Sequence, residues 1–269
     1  MSAMLSGWLK TDSASRLGLA TIIFFISYAV VVSIQYYRAT ATTLPMPKLR
    51  RVAGLDAIDE AIGRATEMGR PVTFNTGASA ISAATLAAIA VMGYVAHQTA
   101  KFDTRLIVPM RFHEVVPIAL STIQMAHIEV GKPETFRPDD VRYLSSDQFG
   151  FTSGCIGIIQ RERVAAQMLF GNFVSEALIL AEEGSIAGAM QIAGQVNVAQ
   201  TPFLIAACDY TLLQEELYVA SAYLSKNRIR IGMIAAQDAF KLILVGIIMV
   251  GIIASAFGSS IVSDLLTLY

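Results

Sequence analysis

Charge is what this sequence has least of. Of its 269 residues only 15 % are Asp, Glu, Lys or Arg, against 54 % hydrophobic, and the mean hydropathy is +0.55. Soluble domains carry about a quarter charged residues, so part of this chain is expected in lipid. The charge present balances to −1, 20 basic residues against 21 acidic, which leaves no electrostatic footprint for nucleic acid. Cys155 and Cys208 are too few and too far apart for a disulfide framework or a zinc site. Lone thiols among apolar neighbours are expected to be buried and inert, and fit a reducing compartment. His97, His113 and His127 make no HxxxH or HExxH spacing, so no metal site is expected. The sequence also lacks GxGxxG, a P-loop and any recognisable Ser/His/Asp or Cys/His arrangement, and no cofactor is expected.

Long uncharged runs, by contrast, are plentiful. Residues 17–37, LGLATIIFFISYAVVVSIQYY, carry no charge and end in Tyr36, Tyr37 and Arg38, the side chains expected at a lipid–water boundary. The run is too long for a signal-peptide core and lacks a small-residue cleavage site, so a retained N-terminal span is expected. Residues 242–262, LILVGIIMVGIIASAFGSSIV, follow Lys241 and are long enough for a second, C-terminal span. Within it Gly251, Ser255 and Ser259 recur every four residues, a spacing that lets helices approach closely in lipid. Arg38, Lys48, Arg50 and Arg51 follow the first span, and Lys226, Arg228, Arg230 and Lys241 precede the second. The tails are poorer in basic residues, with Lys10 and Arg16 before the first span and none after the second. The positive-inside rule then puts both ends outside and the middle in the cytoplasm.

A third uncharged stretch, residues 77–98, is ambiguous by length alone. As a span it would place the fairly basic segment that follows on the outer side, and its alanine, glycine and serine insert less readily than leucine or isoleucine. Its context reads better as strand, glycine turn and helix. PVTFNTG (71–77) is a strand followed by that Ala-rich helix, and TRLIVPM (104–110) is a strand followed by a helix over about 112–130. VRYLSS (141–146) is a third strand, and AAQMLFGN (165–172) a fourth, followed by a helix through SEALILAEE. PFLIAACD (202–209) reads as a fifth strand, with a helix from 211 to about 226. Ahead of them GLDAIDEAIGRATEMGRP (54–71) is an amphipathic helix, with Leu55, Ile58, Ile62, Ala65 and Met68 at spacings of three and four. Buried strands alternating with helices define an α/β fold: a Rossmann-like, mostly parallel sheet with helices on both faces, flanked by two transmembrane helices. The expected division is a tail (1–16), a span (17–37) and a basic juxtamembrane segment with the amphipathic helix (38–70). The cytoplasmic α/β domain (71–227), a C-terminal helix containing the second span (228–262) and a tail (263–269) follow.

The segments EAIGRATEMGRPV, IAGAMQIAGQ and ACDYTLLQEELYVASAYLS resemble signature segments of a family of uncharacterised prokaryotic membrane-anchored proteins, a domain of unknown function. The resemblance covers nearly all of the middle region. It implies a membrane-anchored domain and carries no activity and no catalytic residues.

Ligands of open parallel sheets bind at the carboxyl ends of the strands. The residues expected there are Asn75, Thr76 and Gly77; Arg111, His113 and Glu114; Ser145, Ser146 and Asp147; Gly171, Asn172 and Ser175; and Asp209 with Tyr210. The turn after Gly77, with Ser79 and Ser82, has free amides suited to an anion; the bland alternative is a serine-capped helix against a tight turn. Arg111, His113 and Glu114 are the weak candidates for an acid/base cluster, against simple capping. Asp209 is expected to accept backbone amides, and Thr211 with Gln214 to form a capping box. The glycine-rich 152–163, ending Arg161–Glu162–Arg163, suits an exposed contact better than a phosphate clamp. His97 and His127 are expected to pack rather than to ligate. The function expected from this inventory is a noncatalytic membrane-anchored assembly or scaffold subunit. It would be embedded in membrane lipid and self-associate as a homo-oligomer, with other membrane proteins as further candidate partners. A membrane-tethered small-molecule or nucleotide sensor is the alternative, and an enzyme at the strand-end rim the third reading.

Overall fold

A computed structural model describes residues 13–40, 54–225 and 227–256. The chain divides into two compact units, one of residues 50–227 and the other of residues 1–49 with 228–269.

The first unit holds six strands, β1 (Val72–Gly77), β2 (Leu106–Met110), β3 (Val141–Tyr143), β4 (Ala166–Asn172), β5 (Met190–Gln195) and β6 (Tyr210–Leu213). They form one sheet in the order β3-β2-β1-β4-β5-β6, with every neighbouring pair parallel. This is a doubly wound order whose direction reverses between β1 and β4. Preceding the sheet is the amphipathic helix (Gly54–Met68), whose Leu55, Ile58, Ile62 and Ala65 are buried while Met68 is exposed. The Ala-rich helix (Ala83–Lys101) follows β1, and residues 77–98 are thus the βα unit expected from their context. Its small side chains let it pack closely: a Cβ at Gly93 would lie 3.1 Å from Thr122 of the next helix (Val116–Val130). These three helices and the last one of the unit (Glu215–Ser225) share one side of the sheet. The helices Gln148–Glu162, Glu176–Ile186 and Thr201–Ala207 pack on the other side. At the centre Phe74 and Phe170 stack with ring centroids 5.5 Å apart and planes at 6°. Full burial of such a side chain contributes about 1.5–3 kcal/mol.

Two elements differ from the sequence expectation. Residues 202–209 are not a strand; Thr201–Ala207 is a helix with Pro202 in its first turn, a position where proline's missing N–H costs nothing. The strand in that part of the sheet is β5, MQIAGQ, fully buried despite Gln191 and Gln195. Thr211 accordingly lies in β6, and no capping box forms there; the helix starts at Glu215 after Gln214 at φ 46°. The apolar run FLIAAC fits a buried strand and a short helix equally by periodicity, whereas the glutamines of β5 break the apolar run that marks a buried strand.

Those glutamines have a use. In register across the sheet stand Thr73, Gln167 and Gln191, and the two glutamines lie beneath the helix Glu176–Ile186. Gln167 Nε2 donates to Leu180 O at 3.1 Å, and Gln191 Nε2 to Ala181 O at 2.8 Å. Each amide oxygen is turned toward Gly184, where a Cβ would collide with Gln167 Oε1 and lie 2.6 Å from Gln191 Oε1.

The second unit contains two long helices, Ser13–Thr40 and Arg228–Ala256, packed against each other. The N-terminal one holds the uncharged stretch 17–37 in a 28-residue helix, with Ile22, Phe25, Ile26 and Val30 exposed. Among the described residues one helix, over Arg228–Ile253, is long and apolar enough to cross a membrane. Lys48, Arg50, Arg51, Lys226 and Ser259 lie outside the described residues. Gly251 and Ser255 lie on the Arg228–Ala256 helix.

Candidate functional site

The carboxyl edge of the sheet is where a doubly wound fold places ligands, above all at the β1/β4 reversal. Here that crevice is closed by the protein's own backbone. Gly77, at φ +85°, lies so near β4 that a Cβ would sit 2.7 Å from both Asn172 N and O. Gly171, at φ +137°, is pressed against Thr76 O. Only glycine fits at such a close approach with positive φ. Ala78 N donates to Asn172 O at 2.8 Å, and Asn172 Nδ2 donates to Ser79 Oγ at 2.8 Å.

The remaining polar groups of β1 are also engaged. Asn75 accepts Gly77 N–H at 3.0 Å on Oδ1 and points Nδ2 at Cys155 Sγ, 3.8 Å away, while Thr76 Oγ1 faces Met110 Sδ at 3.5 Å. Ser79 precedes its helix by four residues. The helix start belongs to Ser82, whose Oγ accepts Thr85 N–H at 3.2 Å, the serine-capped arrangement.

Arg111 reaches across the loops, donating from Nε to Ser146 O at 3.1 Å and from a terminal nitrogen to Ala78 O at 3.4 Å. His113 and Glu114 are exposed, and His113 stands edge-on to Tyr143 with centroids 6.3 Å apart. Among the described residues no hydrogen bond or ion pair joins Arg111, His113 and Glu114. Asp147 caps the following helix by accepting Gly150 N–H at 2.8 Å, and Ser145 Oγ accepts Asp147 N–H at 3.1 Å. Asp209 is not at a carboxyl end. It precedes β6, and its Oδ2 accepts Gln191 N–H at 2.7 Å near the start of β5. The edge therefore gathers Asn75, Thr76, Gly77, Ser79, Arg111 and Asn172, and leaves Asp209 on the opposite side.

Two rim groups carried no motif in the sequence. Gln195 clamps the loop after β4, accepting Phe173 N–H at 3.0 Å and donating to Phe173 O at 2.9 Å. Glu176 is 1 % exposed, accepts Val174 N–H at 3.1 Å and Gln148 Nε2 at 2.6 Å, and lies in the first turn of its helix, where the dipole favours an anion. An acid a few residues past a strand-ending glycine was the available signal. Burial, with Glu176 nearby, pushes the Cys155 thiol far above its ordinary range; Cys208 is pushed up to about 12 by burial and by Asp209.

At the opposite, amino edge a cavity of about 290 Å³ opens between β2, β3 and two helix ends. Leu106, Ile123 and Phe136 form its apolar wall, and Arg105, His127 and Asp140 its polar one. Arg105 binds Asp140 through Nε at 2.9 Å and a terminal nitrogen at 2.6 Å, and Glu162 at 2.8 Å. These carboxylates, the Asp140 hydrogen bonds foremost, push its guanidinium further up. His127 is buried, which lowers its pKa below 6.5. Its Nδ1 lies 2.8 Å from Thr135 Oγ1, which donates to Lys132 O at 2.8 Å. Nδ1 therefore carries the proton, and Nε2 is left as an acceptor.

Fold and edge together define a doubly wound α/β protein with a closed switch point, in a chain that also carries a long apolar helix. The chain belongs to the family described as a domain of unknown function, DUF6754, whose model spans residues 10–266. No curated protein and no solved structure matches it.

Proposed function

We propose that this chain is a noncatalytic, membrane-anchored assembly subunit that self-associates. The helices Ser13–Thr40 and Arg228–Ala256 serve as its N- and C-terminal spans, and the α/β domain lies in the cytoplasm. The observation that carries the reading is the closed β1/β4 crevice. The groups that a nucleotide or substrate would need there, the Gly77–Ala78 backbone, Asn172, Ser79 and Arg111, are bonded to one another or to loop carbonyls. A site whose donors are already taken serves rigidity better than capture. The basic residues flanking both spans support the cytoplasmic placement, and the four-residue spacing of Gly251, Ser255 and Ser259 in the sequence supports helix association.

The experiment is accessibility labelling in intact cells. Engineered cysteines within residues 2–6 and near Thr267 should react with a reagent that cannot cross the membrane, while one at Glu134 should stay protected. Labelling at Glu134 with the C-terminus shielded would reverse the orientation. A second reading, a tethered small-molecule sensor, is favoured by the amino-edge cavity, which His127 lines. A thermal-shift screen of nucleotides and phosphorylated metabolites separates the two. A saturating ligand stabilises by several kcal/mol, and no shift beyond about a degree is expected for the assembly subunit.

A further inference from the structure

Inside the α/β domain, between the sheet and the helices Gln148–Glu162 and Glu176–Ile186, lies a cavity of about 10 Å³ whose lining residues are all buried. Most of that lining is apolar, but three polar side chains interrupt it. Thr73 and Asn75 stand two residues apart on β1 and so point to the same side of the sheet. Gln167 is beside Thr73 in register on β4. Thr73 and Asn75 are 4 % exposed and Gln167 2 %, so bulk solvent reaches none of them.

Their hydrogen bonds do not add up within the protein. Asn75 Oδ1 accepts Gly77 N–H at 3.0 Å, but Nδ2 has only the long approach to Cys155 Sγ at 3.8 Å. Gln167 Nε2 uses one hydrogen on Leu180 O. Among the described residues Thr73 Oγ1 and Gln167 Oε1 have no hydrogen-bond partner. Buried polar groups are paired with protein or with ordered water, because leaving one unbonded forfeits its hydration. Cavities that stay dry are apolar ones, and a polar cavity holds water once it has room for one molecule, about 10–15 Å³. This cavity is polar at one wall and sits at that limit.

We propose that the cavity is a binding site for a single water molecule, built into the fold beneath the β1/β4 crevice. Three groups supply the two to four bonds that an internal water makes: the Thr73 hydroxyl, the second Nδ2 hydrogen of Asn75 and the Gln167 carboxamide. No Asp, Glu, Lys, Arg or His lines the cavity, so the site suits a neutral molecule, and its volume admits nothing larger than water. The water ties β1 to β4 within the core, as Gly77 and Gly171 do at the carboxyl edge.

The test takes crystals of the full-length protein that diffract well enough to show ordered solvent. Wild type should show one water within hydrogen-bond distance of Thr73 Oγ1 and the Gln167 amide, and Thr73→Ser should keep it. Thr73→Val should lose it. Stability gives an independent sign, because valine keeps the shape of threonine and removes only the hydroxyl. If the hydroxyl holds a water, Thr73→Val lowers the urea midpoint in pulse proteolysis; if it were simply unpaired, the methyl would raise it. An empty cavity in the wild type, a Thr73 Oγ1 bonded directly to Gln167, or a Thr73→Val protein at least as stable as the wild type would each overturn the site.

Discussion

Replacing Gly184 by alanine should unfold the α/β domain at markedly lower denaturant. The added methyl would occupy the space of Gln167 Oε1 and lie 2.6 Å from Gln191 Oε1. Both glutamines are 2 % exposed, so neither can swing into water. Retreat would pull Nε2 of each from Leu180 O and Ala181 O. A buried polar group left without its partner costs about 1–3 kcal/mol, so two amount to roughly 2–6 kcal/mol. Alanine's better helix propensity returns about 1 kcal/mol. The net expectation is a loss of roughly 3 kcal/mol, or about 6–12 °C for a domain of this size. Pulse proteolysis in urea, on full-length protein in mild detergent, reads the domain without interference from the membrane helices. Adding Gln167→Ala should recover a good part of the loss, because it removes the side chain that collides. A Gly184→Ala protein as stable as the wild type would refute the glutamine clamp.

Three further expectations follow from the same geometry. Gly171→Val, with a branched side chain at φ +137° against Thr76 O, should abolish folding of the domain, seen as loss of soluble expression of protease-resistant protein. Folded protein should react slowly with iodoacetamide at pH 7.5 at both Cys155 and Cys208, since both thiols are pushed up; both should label at once in denaturant, as mass spectrometry can count. His127 should make the wild type acid-sensitive. Its folded pKa lies below the unfolded 6.5, so its contribution is intact above 6.5 and is lost as pH falls from there through the folded value. His127→Gln should flatten that part of the curve in paired urea titrations at pH 7.5 and 5.

Much of the fold is written in patterns that burial leaves on the sequence. β1 and β4 are apolar runs ended by Gly77 and Gly171, and the helix after β1 begins at a serine cap. β5 was hidden because Gln191 and Gln195 serve as internal clamps for a helix and a loop, a use of polar residues that interrupts the pattern of a buried strand. Taking residues 202–209 as the strand moved Asp209 to the wrong edge. Asn75, Gly77, Ser79 and Asn172 were legible as edge residues, because the position after a parallel strand fixes them. That they bond to one another was not, since the closure depends on β1–β4 register and two positive-φ glycines. His127 joins its cavity only through the convergence of two helices, two strands and a short turn, which no local spacing encodes.

The number of copies in one membrane particle tests the account most directly. Full-length protein extracted in native-lipid discs, without detergent exchange, can be weighed intact with whatever it retains. The account predicts particles holding two or more copies and no stoichiometric small molecule. Particles with a single copy carrying a bound metabolite would contradict it and make the chain a sensor.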